Sequence, residues 1–508
     1  MHDTIVVGAG LGGLTAGAKL ATAGQDVLVL EKHTIPGGYA TTFQRGECEF
    51  EVSLHEIDGL DEGDAKREVF AELGVFDAVE FEPVPNYRVR HGDGDVTLPH
   101  GREAMEAALV EAFPEEAAGI ERFFDVVCRI REEISEFPMS GGSLRTLLTA
   151  PFTSPTLLRY RKTTLGEFLD SLVDDERLKL LLSFNYAYYN DDPYTLALPF
   201  FAAGQGSYLA GGGHYVKGGS QALSDHLASV VEDAGGSVEL GRLVTDILVE
   251  DGRATGVRHE KTNTGTDART DRARTVVANG AIPNVAEHLL PDPHGADLHA
   301  EIGDFERGPS LTTLYLAFET PLCELGNDHY STFVVDESVD ALSETATNSH
   351  ASFGRRSFAF VDYSQVAADL APEGQSTGTV ATLDEWDNWA GLTDEEYRQK
   401  KAHVKDVLLR RLDEQIPGAA DAVAHAELAT PKTMHRYTRN PGGAVYGFAQ
   451  TPSQSLLNRQ IRAPVSDLYF ASAWSFPGGG FSGAILSGYG AASNVLQRDS
   501  RAEPAAAD

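Results

Sequence analysis

Gly8, Gly10 and Gly13 keep a G-x-G-x-x-G spacing directly behind the β-branched run at residues 4–7, and Glu31 comes one helix and one strand later. Those residue types at that spacing can hold a dinucleotide. The glycines let the backbone turn tightly, approach a pyrophosphate and pack a helix against the strand, and a carboxylate ~20 residues on meets ribose hydroxyls. The elements that must position them are a buried parallel strand over 4–7, a helix over 11–23 closed by Gly24, and a second strand ending at Glu31. The helix would aim its free N–H groups at the phosphates.

The residues after Glu31 separate one dinucleotide from another. An NAD domain would run on into a further regular βα unit. Here Glu31-Lys32 leads into an irregular stretch with the doublet Gly37-Gly38, and then into Phe43, Gly46, Phe50, Glu51, His55 and Gly59. A glycine pair lets backbone amides approach a flat ring without a Cβ in the way, although the doublet alone is equally an ordinary turn. Gly478, Gly480 and Gly483 repeat the triplet spacing near the C-terminus, but no strand ending in an acid comes after them. That block reads instead as a strand over 468–471, a loop over 474–480 and a helix whose N-terminus would stabilise negative charge on a bound group.

With these motifs the chain resembles the phytoene desaturase-like FAD-dependent oxidoreductases of the amine-oxidase group, and most closely their carotenoid isomerase and all-trans-retinol saturase branch. The resemblance runs nearly end to end. It rests on the glycine triplet, on the doublet with its His55 extension, on residues 213–223 with 243–247 and 276–281, and on residues 467–483. In that last block Ser472-Ala473 stands where the amine-oxidase pattern has Gly-acid, so backbone amides take that role. The resemblance implies an α/β fold, with a discontinuous Rossmann-type FAD-binding domain over 1–90, 205–292 and 431–497. A mixed α+β substrate domain would cover 92–204 and 293–430, and 498–508 would form a disordered tail. It implies FAD contacts at Gly8, Gly10, Gly13, Glu31, Lys32, Gly37, Gly38, Val244, Asn279, Gly479, Gly480 and Phe481. His55, beside the doublet, and Tyr446, in the glycine loop at 441–447, are the proton-donor candidates, each open also to a structural role. Trp474 and Phe476 could flank the ring or only pack beneath it.

The implied reaction is isomerisation or saturation of a carotenoid- or retinoid-like polyene through reduced flavin. The alternatives are a desaturase on the same scaffold, a flavin amine oxidase, and a carotenoid carrier whose flavin never turns over. A polyene needs an apolar tunnel, and Phe184, Tyr186, Tyr188, Tyr189, Pro199, Phe200, Phe201 and Tyr208 concentrate aromatic surface that could form one or simply a core. No metal-ligand or Ser-His-Asp constellation competes.

Composition narrows the rest. With 508 residues the chain can build two ordinary domains. A net charge of −35 excludes the basic stripe that nucleic acid requires, and its size points to a salt-adapted protein with hydrated surface carboxylates. Cys48, Cys128 and Cys323 have no metal or disulfide spacing, so free thiols in a reducing compartment are expected. Residues 1–3 lead straight into the first strand, which predicts a cytoplasmic protein. One window breaks the acidic pattern: residues 137–166 hold no carboxylate, yet interleave Arg145, Arg159, Arg161 and Lys162 with leucines and aromatics. That composition suits peripheral contact with anionic lipid, or else an internal helical hairpin.

Overall fold

The computed structural model of the protein describes residues 1–136, 152–456 and 460–502. Five parallel strands form its first sheet, in the order Ser237–Glu239, Val27–Leu30, His2–Val7, Arg269–Ala278 and Leu468–Phe470. Val27–Leu30 is buried along its whole length, as an apolar run covered on both faces should be. Arg242–Glu250 and Arg253–Lys261 extend the sheet as an antiparallel hairpin. Asp251 and Gly252 turn it with positive φ of 49° and 73°, the backbone that a two-residue hairpin loop demands.

Helix Leu11–Thr22 packs against helices Ser220–Asp233 and Gly480–Ala502. Its contact with the last is backbone to backbone. A Cβ on Gly488 would lie 2.1 Å from the Gly12 carbonyl oxygen, so no side chain fits at that crossing.

The second sheet has seven strands, ordered Val423–Ala429, Ser310–Phe318, Ser376–Asp384, Phe358–Asp362, Ser331–Val335, Asn86–His91 and Gly94–Pro99. All neighbours are antiparallel except Ser331–Val335 with Asn86–His91. Helices Ala117–Ser135, Glu176–Leu182 and Leu198–Gly211 share a core with Tyr87, Val89, Leu98 and Phe333 of that sheet.

Two expected boundaries shift. Residues 86–91 fall inside the 1–90 segment assigned to the FAD domain, yet they pair with Ser331–Val335 and belong to the second sheet. Residues 498–502 of the tail expected over 498–508 are helical instead, as the end of helix Gly480–Ala502. Arg498 anchors that last turn on Asp467, Asp499 and the Thr275 hydroxyl. Residues 503–508 lie outside the described residues.

A small sheet of Ile57–Asp58, Gly213–Val216 and Phe81–Val84 ties the His55 block to the Gly213 block. Buried Glu51 locks the same junction. It accepts hydrogen bonds from the Ser220 backbone N–H and hydroxyl, from the N–H groups of Ser53 and Leu54, and from the Tyr215 hydroxyl.

Candidate active site

The three sequence blocks and the C-terminal block meet around one cavity of about 600 Å³. Its first part is a cleft above the parallel sheet. Gly8, Gly10, Glu31, Lys32, Gly37, Gly38, Val244, Asn279, Gly479, Gly480 and Phe481 all line it. Gly13 does not; it sits under the turn, where a Cβ would lie 2.1 Å from the Gly8 oxygen. Its role there is to seat helix on strand, as the third glycine of the spacing should.

This cleft suits a dinucleotide on three counts. Gly10 caps helix Leu11–Thr22 with no side-chain hydrogen bond, which leaves the first-turn N–H groups able to serve an anion. Both Glu31 oxygens are pinned by backbone, Oε2 by the Ala9 N–H at 2.8 Å and Oε1 by the His33 N–H at 2.7 Å. Each oxygen keeps acceptor capacity for ribose hydroxyls at the cavity wall. The doublet folds back on the triplet: the Gly37 N–H donates to the Ala9 oxygen at 2.7 Å, with Gly37 at φ +120°. Lys32 also faces the cleft, where burial lowers its pKa and its ammonium donates to the Tyr437 oxygen. Replacing Glu31 with Gln turns one acceptor into an NH₂ that opposes a backbone N–H. FAD affinity should then fall about 10- to 150-fold, on the order of 1.5–3 kcal/mol, as read by equilibrium dialysis.

Beyond the cleft the cavity continues past His55, Glu56, Asp58, Lys66, Tyr446 and the Trp474–Gly480 loop. A buried ion cluster holds this middle part. Lys66 bridges Asp58 and Asp64 at 3.0 and 2.8 Å, and the Ser482 hydroxyl donates to Asp58, fixing the last helix to the His55 block. His55 lies 3.0 Å through Nδ1 from the Tyr188 hydroxyl, and burial depresses its pKa to about 4, so its imidazole is neutral near pH 7. Burial raises the pKa of the Tyr446 phenol, which stays protonated. Trp474 and Phe476 both line the wall; Trp474 also donates from Nε1 to Asn440 and sits edge-on to Phe448.

The far part is apolar and aromatic. Of the aromatic concentration noted in the sequence, Phe184, Tyr186, Tyr188, Tyr189, Phe200 and Tyr208 line the cavity, whereas Phe201 packs into the helical core. Ala203 and Gly204 on helix Leu198–Gly211 form another stretch of wall, together with Ile134 and Leu157. Glu56, Asp58, Lys66 and Ser482 do not stand out in the sequence. The one available signal is that Glu56 and Asp58 come after His55 in the same short block.

Known proteins agree with this architecture. The family model described as flavin containing amine oxidoreductase matches residues 11–496. An all-trans-retinol 13,14-reductase of Danio rerio is 27% identical over 98% of this chain and 86% of its own. A chloroplastic prolycopene isomerase of an Oncidium hybrid cultivar is 27% identical over 96% of this chain and 82% of its own. Among solved structures, an oxidoreductase from Methanosarcina mazei superposes with a TM-score of 0.63 at 18% identity, covering 97% of this chain and all of that one. A glycine cleft built for a dinucleotide, opening into an aromatic cavity and matched over nearly its whole length, places this chain in the flavin containing amine oxidoreductase family as an FAD-dependent oxidoreductase.

Proposed function

We propose that the enzyme acts on the conjugated chain of a hydrophobic isoprenoid, isomerising it or saturating a double bond with its flavin in the reduced state. The observation that carries this reading is the continuity of the cavity, from the dinucleotide cleft past His55 and Tyr446 to walls of phenylalanine and tyrosine. A polyene has no handle except its apolar surface, and such walls are what would bind it. The Danio rerio and Oncidium relatives are named for reducing a retinol and isomerising prolycopene, which supports the same substrate class. Bound FAD would supply the two-electron chemistry, while the chain orients the polyene and keeps water out. Desaturation would use the same walls in the opposite redox direction.

An amine is the second reading, since a buried carboxyl among phenols, Glu56, could receive an ammonium group. Fluorescence of the bound flavin separates the two. Titration with a polyene should quench it, and primary amines of similar size should leave it unchanged. The reverse pattern overturns the polyene reading.

The route by which so apolar a substrate arrives belongs to the same proposal. Among the described residues no helix is long and apolar enough to cross a membrane. Residues 137–151 of the basic–apolar window lie outside the described residues. On its remaining part Arg159, Arg161 and Lys162 are exposed and enter no ion pair among the described residues, and Phe152 is 87% exposed. Leu157, on the buried side of this stretch, lines the cavity. We infer that this surface rests on anionic lipid and takes substrate from it. Replacing Arg159, Arg161 and Lys162 with Glu should then lower co-sedimentation with anionic vesicles at low salt, with FAD content unchanged and the difference shrinking as salt rises.

A further inference from the structure

Glu56 is a carboxylic acid built into the middle of the cavity. It is buried, it lines the wall, and neither carboxyl oxygen has a hydrogen-bond partner among the described residues. Its backbone leads directly into the small Ile57–Asp58 strand, so its place is set by pairing with Gly213–Val216. The groups facing it are the phenols of Tyr87, Tyr188, Tyr189, Tyr208, Tyr330, Tyr363 and Tyr446, with the Asp58 carboxylate and the neutral His55 close by in the chain. The hydroxyls of Tyr87 and Tyr188 are near enough to favour its anion without completing a hydrogen bond, and the Tyr87 hydroxyl is itself unpartnered. Asp58 repels the anion, and burial outweighs every other influence. The carboxyl pKa is pushed up to about 8, so near pH 7 Glu56 carries a proton. Glu51 shows the contrast: also buried, it is surrounded by donors and serves structure. Glu56 has no such partners and faces open cavity.

We propose that Glu56 is the proton donor to the substrate, and that the reaction it serves is saturation of a double bond. This rests on the polyene reading and names its acid. In the balanced step reduced flavin, when bound, would supply a hydride with its two electrons to one alkene carbon, its N–H bond breaking as that C–H bond forms. The π pair goes to the adjacent carbon and takes the Glu56 proton. The carboxyl O–H bond breaks, two C–H bonds form, and Glu56 is left as the carboxylate to be reprotonated from water. The cavity then returns to its starting state once a two-electron donor has reduced the flavin again.

The test compares native holoenzyme with Glu56→Gln, which keeps the shape, and with Glu56→Asp, which keeps the acid one methylene shorter. Infrared difference spectra should show the C=O band of a protonated, weakly bonded carboxylic acid in native enzyme near pH 7, and Glu56→Gln should remove it. With polyene binding and FAD content unchanged, reduced Glu56→Gln should form saturated product at least ~100-fold more slowly, and Glu56→Asp should recover part of the rate. Stability gives a third readout that needs no turnover. A carboxyl whose folded pKa lies above its unfolded value costs the native protein stability as pH rises toward about 8, so Glu56→Gln should gain thermal stability over native enzyme across that rise. Absence of the acid band, or an unimpaired Glu56→Gln, overturns the assignment while leaving the polyene reading in place. Native enzyme that shows the band yet converts no polyene overturns both.

Discussion

Gly10→Val should yield a colourless protein. Gly10 lines the dinucleotide cleft at the uncapped start of helix Leu11–Thr22, and a Cβ there would stand 2.8 Å from the Asn279 side-chain nitrogen. Asn279 could shift aside only by moving the amide that donates to the Gly8 oxygen, while the branched methyls would enter the space over the helix N–H groups. Those N–H groups are what the cleft offers to a pyrophosphate. The loss of FAD affinity should reach at least about three orders of magnitude, or roughly 4 kcal/mol. The flavin absorbance of the purified variant, against its far-ultraviolet circular dichroism as a check on folding, reads this directly. Stoichiometric flavin in Gly10→Val would remove the cofactor assignment.

Ala203→Trp should have the complementary phenotype: full yellow colour and almost no turnover. Ala203 lies on the wall of the aromatic part of the cavity, on helix Leu198–Gly211, which packs against Ala117–Ser135, and it belongs to none of the segments that carry the glycine triplet and Glu31. An indole at this position would fill space that a rigid polyene needs. Misplacement by an ångström already costs about 100-fold in rate, and a blocked cavity should cost at least as much. Flavin content and polyene conversion, measured on the same preparation, should therefore separate. Unimpaired conversion would mean that substrate reaches the flavin by another path.

Local motifs made much of the first domain legible. The triplet and the acid at Glu31 act within a few residues of backbone, so residue type and spacing alone report the geometry. The second sheet was less open. Its strand Asn86–His91 pairs in parallel with Ser331–Val335, more than two hundred residues away, and nothing at either position announces the other. Arg498 looked like part of a charged tail because its partners, Asp467 and Thr275, come from distant strands. Glu56 was hidden for a different reason. In a chain with 76 acidic residues one more carboxylate carries no signal, and only burial among tyrosines sets it apart. The aromatic concentration shows the same limit, since Phe200 lines the cavity while its neighbour Phe201 is core; the turn of a helix, not composition, decides between them.

A polyene should react in this cavity only when the flavin is reduced. The most direct measurement gives the same cis-polyene, without oxygen, to fully reduced and to fully oxidised holoenzyme, and determines product mass and absorption spectrum. Reduced enzyme alone should convert the polyene, with a gain of two hydrogens for saturation, or unchanged mass and an altered spectrum for isomerisation. Conversion only by oxidised enzyme, with loss of hydrogens, would contradict it and make the chain a desaturase.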